Sequence, residues 1–396
     1  MNSTTLARGY SLGFYLAFLS SFLQSSASSL LITPLPLYVE QLGGGPAEVG
    51  LSGTVLALSA LAFRPWMGRL CDRQGRKLTL LIGTIMAVLA PLGYALSTSI
   101  PVFLSARVLQ GIGIAAYSSA FGAFIADVTP PARWGEALGI AGTSLAMSMM
   151  VASPLGGALI GYLTLRVIFL FAAVAAIAAL SVTLLLQEPE KEPPTLQEGN
   201  PRQTRSLAVI LSFGVLVPSL ANLTLGVNQG TLMTFLPLFA RDRGLGNAGF
   251  FFTMMSALSV LSAFTMGRLS DRIGRPAVIL PMFILLALGS WGLVGTYSFG
   301  ILLVMAAVTG MGSGGARPGM ESMVVDAAPA KLRGTAFSFL YLCFDVGIAL
   351  GSMGGGLVAS LAGYGTVYML VGLLCLFTVG GFALATRKLG LGKEET

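Results

Sequence analysis

An all-α membrane protein, with twelve transmembrane helices in two related six-helix bundles, is what this sequence predicts, and three observations predict it. Of 396 residues, 55% are apolar and only 10% are charged, whereas about a quarter are charged in soluble domains. The apolar residues fall in continuous runs such as LLIGTIMAVLAPLGYAL from Leu80 to Leu96, without the ~10-residue alternating segments of an outer-membrane barrel. The chain also repeats itself: MGRLCDRQGR from Met67 returns as MGRLSDRIGR from Met266, with eight of ten letters shared.

Apolar runs bounded by charge or by Gly and Pro lie near 10–39, 47–67, 78–98, 100–126, 135–160, 165–187, 207–239, 246–267, 276–297, 299–325, 334–360 and 364–386. At about 20 residues per span, twelve spans take roughly 240 residues, which leaves short loops and no sizeable soluble domain. The first run follows Arg8 and is too long for a signal-peptide core, with no small-residue cleavage site, so it reads as a retained span. Between the sixth and seventh runs, EPEKEPPTLQEGNPRQTRS from Glu188 to Ser206 is polar and Pro-rich, the composition of a flexible connection. The expected organisation is an N-terminal bundle over 1–187, a cytoplasmic linker over 188–206 and a C-terminal bundle over 207–396.

An offset of 199 residues also carries Gly111 and Gly113 onto Gly310 and Gly312, Asp127 onto Asp326, and Gly156 and Gly157 onto Gly355 and Gly356. TPLPLY from Thr33 matches TFLPLF from Thr234 at a shift of 201. The halves are duplicates.

Charge sets the orientation. With both termini in the cytoplasm, seventeen of the 23 basic residues lie inside, among them Arg8, Arg69, Lys77, Arg133, Lys191, Arg268, Lys331 and Lys393. Arg166, Arg241 and Arg243 fall outside, and Arg64, Arg107 and Arg317 fall within spans. This positive-inside bias, with short loops and no appended domain, predicts a multi-pass protein of a bacterial inner membrane. It also accounts for the net charge of +7 without nucleic acid as a partner.

No histidine occurs, and Cys71, Cys343 and Cys375 have neither pairing nor metal-ligand spacing. No metal or cofactor is expected. The absence of a catalytic set and of a G-x-x-x-x-G-K-S/T loop argues against an enzyme or a nucleotide-driven pump.

Six plus six spans, a polar linker and G-x-L-x-D-R-x-G-R after span two resemble the major facilitator superfamily over the whole chain. The motif is Gly68, Leu70, Asp72, Arg73, Gly75, Arg76 and Lys77, with a second copy at Gly267, Leu269, Asp271, Arg272, Gly274 and Arg275. Physically, its glycines let the backbone turn at a helix end and its carboxylate can meet helix N-terminal amides. The resemblance implies a cytoplasmic latch: Asp72 against the start of span eleven, Arg76 near Asp127, and Asp271 against the start of span five. RVLQGIG from Arg107 is similar to the R-x-x-Q-G-x-G of proton-coupled members, which implies proton transfer at Arg107 with Gln110 beside it; a structural arginine bonded to span-one carbonyls is the alternative. SPLGG from Ser153 resembles the tail of the antiporter motif, but Met149 and Ser153 stand where glycines are expected. A kink with small-residue packing explains it equally well.

Arg317, Glu321 and Asp345 are intramembrane charges whose first-half counterparts are Ser118, Gly122 and Ala146. Duplicated scaffolding needs none of them, so they point to coupling or substrate contact. Arg317 lies roughly 14 Å from the cytoplasmic end of its span and Asp345 roughly 16 Å into the next. A pair between them would leave Glu321 as the acid that exchanges protons, with Asp345 and Arg107 the next candidates, and a purely structural triad is the alternative. Further candidate cavity groups are Gln24, Tyr117, Asn222, Asn228, Gln229 and Tyr341.

The function expected from these features is proton-coupled secondary transport, with amphipathic organic molecules exported by alternating access. The alternative is a proton-coupled importer, or a lipid, sugar or siderophore transporter of the same fold. The partners are then a small-molecule substrate, protons and the lipid bilayer, and the protein is expected to act as a monomer.

Overall fold

The computed structural model describes residues 10–130, 133–188, 212–329 and 332–388, and among them no strand occurs. The helices are α1 (Leu12–Leu30), α2 (Pro34–Gln41), α3 (Pro46–Gln74), α4 (Arg76–Leu96), α5 (Ile100–Asp127), α6 (Trp134–Leu159), α7 (Leu165–Leu185), α8 (Phe213–Asp242), α9 (Gly249–Ile273), α10 (Arg275–Val294), α11 (Phe299–Ala327) and α12 (Arg333–Lys388). Apart from Glu188, the linker read from sequence lies outside the described residues.

Ten stretches among the described residues are long and apolar enough to cross a bilayer. One of them, Leu12–Gln41, takes in both α1 and α2, which are separated just before Pro34 and Pro36. The 56 residues of α12 are two helices joined at Gly363, whose φ is 79°, and are long enough for two crossings. The 30-residue α8 is long enough to cross, although Asn222, Asn228 and Gln229 dilute its apolar character. The set is consistent with twelve crossings.

The chain gathers into two compact units. One holds the chain up to Leu31, Ser59–Ala152 and the segment from Leu163. Its core includes Phe14, Leu80, Phe124, Ile125 and Ala141, and hydroxyl pairs fasten its spans: Ser20 with Thr183 at 2.7 Å, Ser21 with Ser144 at 2.7 Å and Ser29 with Ser148 at 3.2 Å. Between helices in hydrocarbon, where lipid is as apolar as leucine, packing and such hydrogen bonds replace the hydrophobic driving force.

The other unit holds Ile32–Leu58, Ser153–Tyr162 and the second half of the chain. Two stretches of the first sequence half are therefore built into it. Gly50 of α3 faces the Ser352 carbonyl of α12, and a Cβ added there would lie 3.0 Å from the Gly356 Cα. Gly249 of α9 faces the Ser153 carbonyl of α6, and a Cβ there would lie 2.6 Å from the Pro154 nitrogen. The repeat offset relates Gly50 to Gly249 and Ser352 to Ser153, so these are two copies of one contact. The Thr54 hydroxyl donates to the Ala349 carbonyl at 3.2 Å, and the Asn247 amide donates to the Pro154 carbonyl at 2.7 Å. The SPLGG segment of α6 thus contributes Ser153 and Pro154 to a close helix contact. Glu40 of α2 forms an ion pair with Arg241 at the end of α8.

Replacing Gly50 or Gly249 with valine overpacks these contacts, at a cost of about 1–3 kcal/mol each. Both variants should lower the thermal midpoint of the purified protein by similar amounts. Gly142→Ala, at a position with nothing within 4 Å, should not. Equal midpoints for the Gly50 variant and the Gly142 variant would show that the backbones do not approach so closely.

Candidate functional site

The turn between α3 and α4 is built around Gly75, whose φ of 111° suits a residue without Cβ. The equivalent Gly274 between α9 and α10 has φ 90°. Gly68 and Gly267 lie inside α3 and α9 instead, so only the second glycine of each motif makes the turn. In the first copy, Arg76 Nε donates to Asp127 Oδ2 at 2.9 Å and its Nη1 donates to the Cys71 carbonyl at 3.1 Å. Asp72, expected to meet helix N-terminal amides, is 79% exposed and lies 3.6 Å from Arg76. The carboxylate that does meet them is Glu188, which accepts from the Arg76 and Lys77 backbone nitrogens at 2.6 and 2.7 Å. An anion at a helix N-terminus satisfies orphan amides and complements the helix dipole.

The second copy repeats the turn but not this cap. Arg275 pairs with Asp271 and lies 3.7 Å from Asp326. The counterpart of Lys77 is Pro276, which has no N–H, and the counterpart of Glu188 is Arg387. Donor and acceptor are missing together. Arg73 and Arg272 are exposed. In the loop before α6, Arg133 bonds both carboxylate oxygens of Glu136, at 3.1 and 3.2 Å, which raises the guanidinium further above its ordinary value.

Within the first unit, Arg107 of α5 is buried at 8% exposure. Its Nη1 donates to Gln110 Oε1 at 2.9 Å, and the Tyr94 hydroxyl of α4 donates to the same oxygen at 2.7 Å. The rings of Tyr94 and Phe103 lie 5.9 and 5.8 Å from the guanidinium carbon, within cation–π range. Tyr117 donates to Ser20 at 3.1 Å and stacks on Phe121 at 5.6 Å, a place in the packed interior.

In the second unit, Tyr341 of α12 donates to Glu321 Oε1 of α11 at 2.7 Å. The Arg317 guanidinium lies 4.9 Å from the Phe344 ring centroid, beside Asp345 in the sequence. Glu321 and Asp345 are half-buried, while Arg317 is exposed. Asn222 and Asn228 of α8 act as ties, donating to the Leu340 carbonyl and the Ser290 hydroxyl at 2.9 Å each. Gln229 is half-buried on the same helix.

A family model described as the Major Facilitator Superfamily matches residues 17–259 and again 219–393. The chain belongs to this superfamily. It is 26% identical over 385 residues to the multi-drug resistance efflux pump PmrA of Streptococcus pneumoniae, covering 92% of this chain and 94% of that one. It is 30% identical over 370 residues to the multidrug resistance protein MdtG of Dickeya zeae, covering 90% of each. Among solved structures, a point mutant of the nucleoside transporter NupG superposes with a TM-score of 0.79 at 16% identity, over 94% of this chain and 99% of that one. A bacterial homolog of the human lysosomal transporter Spinster gives 0.75 at 16% identity, over 97% and 98%. These two share the fold.

The superfamily motif led to Arg76 and Asp127 but not to Glu188, which reads in the sequence as the first residue of a polar linker. The available signal was its place directly after the apolar run ending at Gln187, where an acid can turn back onto a helix end. Tyr94 gave no signal, because it stands one helix away from Arg107. Tyr341, a candidate cavity group by sequence, has a hydrogen-bond partner in Glu321 that its position in the chain did not signal.

Glu188→Ala should leave the Arg76 and Lys77 amides without an acceptor. A lost cap is worth about 0.5–2 kcal/mol, so amide hydrogen exchange in the first turn of α4 should quicken roughly 2- to 30-fold, with α10 unchanged. Unaltered exchange at Arg76 and Lys77 would remove Glu188 from this role.

Proposed function

We propose that this chain is a proton-driven exporter of amphipathic organic molecules, working by alternating access. In this reading it is a monomer of a bacterial inner membrane with both termini in the cytoplasm, performs no chemistry on its cargo and uses no cofactor. Export of such molecules is supported by the names of the curated relatives, multidrug efflux proteins that match nearly the whole chain.

Coupling to protons is supported by one observation above the rest. Glu321 sits half-buried in the last third of α11 with a neutral phenol as its hydrogen-bond donor, and its counterpart in the duplicate is Gly122. A carboxylate that the scaffold does not require, set in a membrane span, is by default functional. Pairing of Arg317 with Asp345 would leave Glu321 to exchange protons, Arg107 would assist from the first half, and Gln229 offers an amide to cargo. The two motif copies, with Asp72, Arg76 and Asp127 and with Asp271, Arg275 and Asp326, serve as cytoplasmic latches that bias the conformational equilibrium.

A second reading, import coupled to protons, is favoured by the departures at Met149 and Ser153 from the antiporter pattern. Proteoliposomes with the pH gradient imposed in each direction separate the two, since an exporter accumulates cargo against an opposed proton flux and an importer moves it with the protons.

Glu321→Gln should keep substrate binding while losing the pH dependence of that binding and all uphill transport, because a fixed neutral group carries no proton. Accumulation by this variant equal to the parent's, under a defined pH difference, would pass the role to Asp345 or Arg107.

A further inference from the structure

Beside the Arg107 cluster, within the first unit, lies a cavity of about 20 Å³ between α1, α4 and α5. Its apolar wall includes Ala27, Ala87 and Pro91, and its polar groups come from Gln24, Ser28 and Gln110. Gln24 is only 7% exposed, and its Oε1 is buried without a hydrogen-bond partner among the described residues. Such an orphan acceptor in a membrane span is costly unless something donates to it.

The orientation of Gln110 supplies half of the answer. A guanidinium only donates, so the amide must turn its oxygen towards Arg107, and that oxygen takes bonds from both Arg107 and Tyr94. The Gln110 amide nitrogen, with two N–H donors, is thereby directed away from the arginine. A space of this size accommodates about one water, and a buried water typically makes about three hydrogen bonds.

We propose that this cavity is a one-water site that ties α1 to the Arg107 cluster. The water accepts from Gln110 Nε2 and donates to Gln24 Oε1, with the Ser28 hydroxyl as its third partner. Gln24 acts through it as a positioning residue: it fixes the Gln110 amide, and the amide in turn holds the arginine. The assignment does not depend on the direction of transport or on which acid carries protons.

The test is an experimental map of the full-length protein in lipid, at a resolution that shows ordered water. The parent should show a single peak within hydrogen-bonding distance of Gln24 Oε1 and Gln110 Nε2. Gln24→Met, nearly equal in volume but without an acceptor at that place, should lose the peak, and the Arg107–Gln110 hydrogen bond should loosen. An empty cavity in the parent, or Gln24 Oε1 bonded directly to a protein donor, would overturn the site. A peak that persists in the variant would show that Gln24 does not hold the water, and an unchanged Arg107–Gln110 pair after loss of the peak would overturn the positioning role.

Discussion

In hydrocarbon no water is available to satisfy a backbone or side-chain polar group, and that constraint governs the whole molecule. It makes the described regular structure helical, since a helix closes its own backbone hydrogen bonds. It also decides where polar side chains stand. Ser20 with Thr183, Ser21 with Ser144, and Asn228 with Ser290 are all mutual solutions to the same problem. Arg107 of the first unit is met on its Nη1 side by an amide oxygen and lies within cation–π range of two rings.

Duplication gives this chain an internal control. Both halves retain the turn glycines Gly75 and Gly274, and the close contacts at Gly50 and Gly249. What one half lacks has been gained or lost for a local reason. The cap on α4 needs an acid and two amide donors, and the second half has replaced the acid with Arg387 and one donor with Pro276. Glu321, Arg317 and Asp345 stand opposite Gly122, Ser118 and Ala146, which separates them from scaffold more firmly than their charge alone.

Fold class was legible in the sequence because hydrophobic length and a repeated motif are one-dimensional signals. Arg76 was legible for the same reason, as a residue of the repeated motif, and Asp127 as the partner that the resemblance implied and that the repeat carries onto Asp326. Tyr94 at Arg107 and Tyr341 at Glu321 were not, because the register between neighbouring helices decides which phenol reaches which polar group, and no spacing along the chain encodes it. The glycine contacts were partly legible. Gly156, Gly157, Gly355 and Gly356 stood out as repeat partners, yet the partner surfaces at Gly50 and Gly249 looked no different from Gly139 or Gly142 until their neighbours were known.

The ion pair between Glu40 and Arg241 carries a consequence for ancestry. At the shift of 201 that relates TPLPLY to TFLPLF, Glu40 and Arg241 are the same position in the two copies, and they meet each other. When the copies were still identical, that residue faced its own twin, and any charge there would have met a like charge and been repelled. The glycine contacts had no such difficulty, because a glycine against a carbonyl works equally well in identical copies. The packing could therefore be as old as the duplication, whereas the ion pair is necessarily younger and records the divergence of one ancestral residue into two opposite ones.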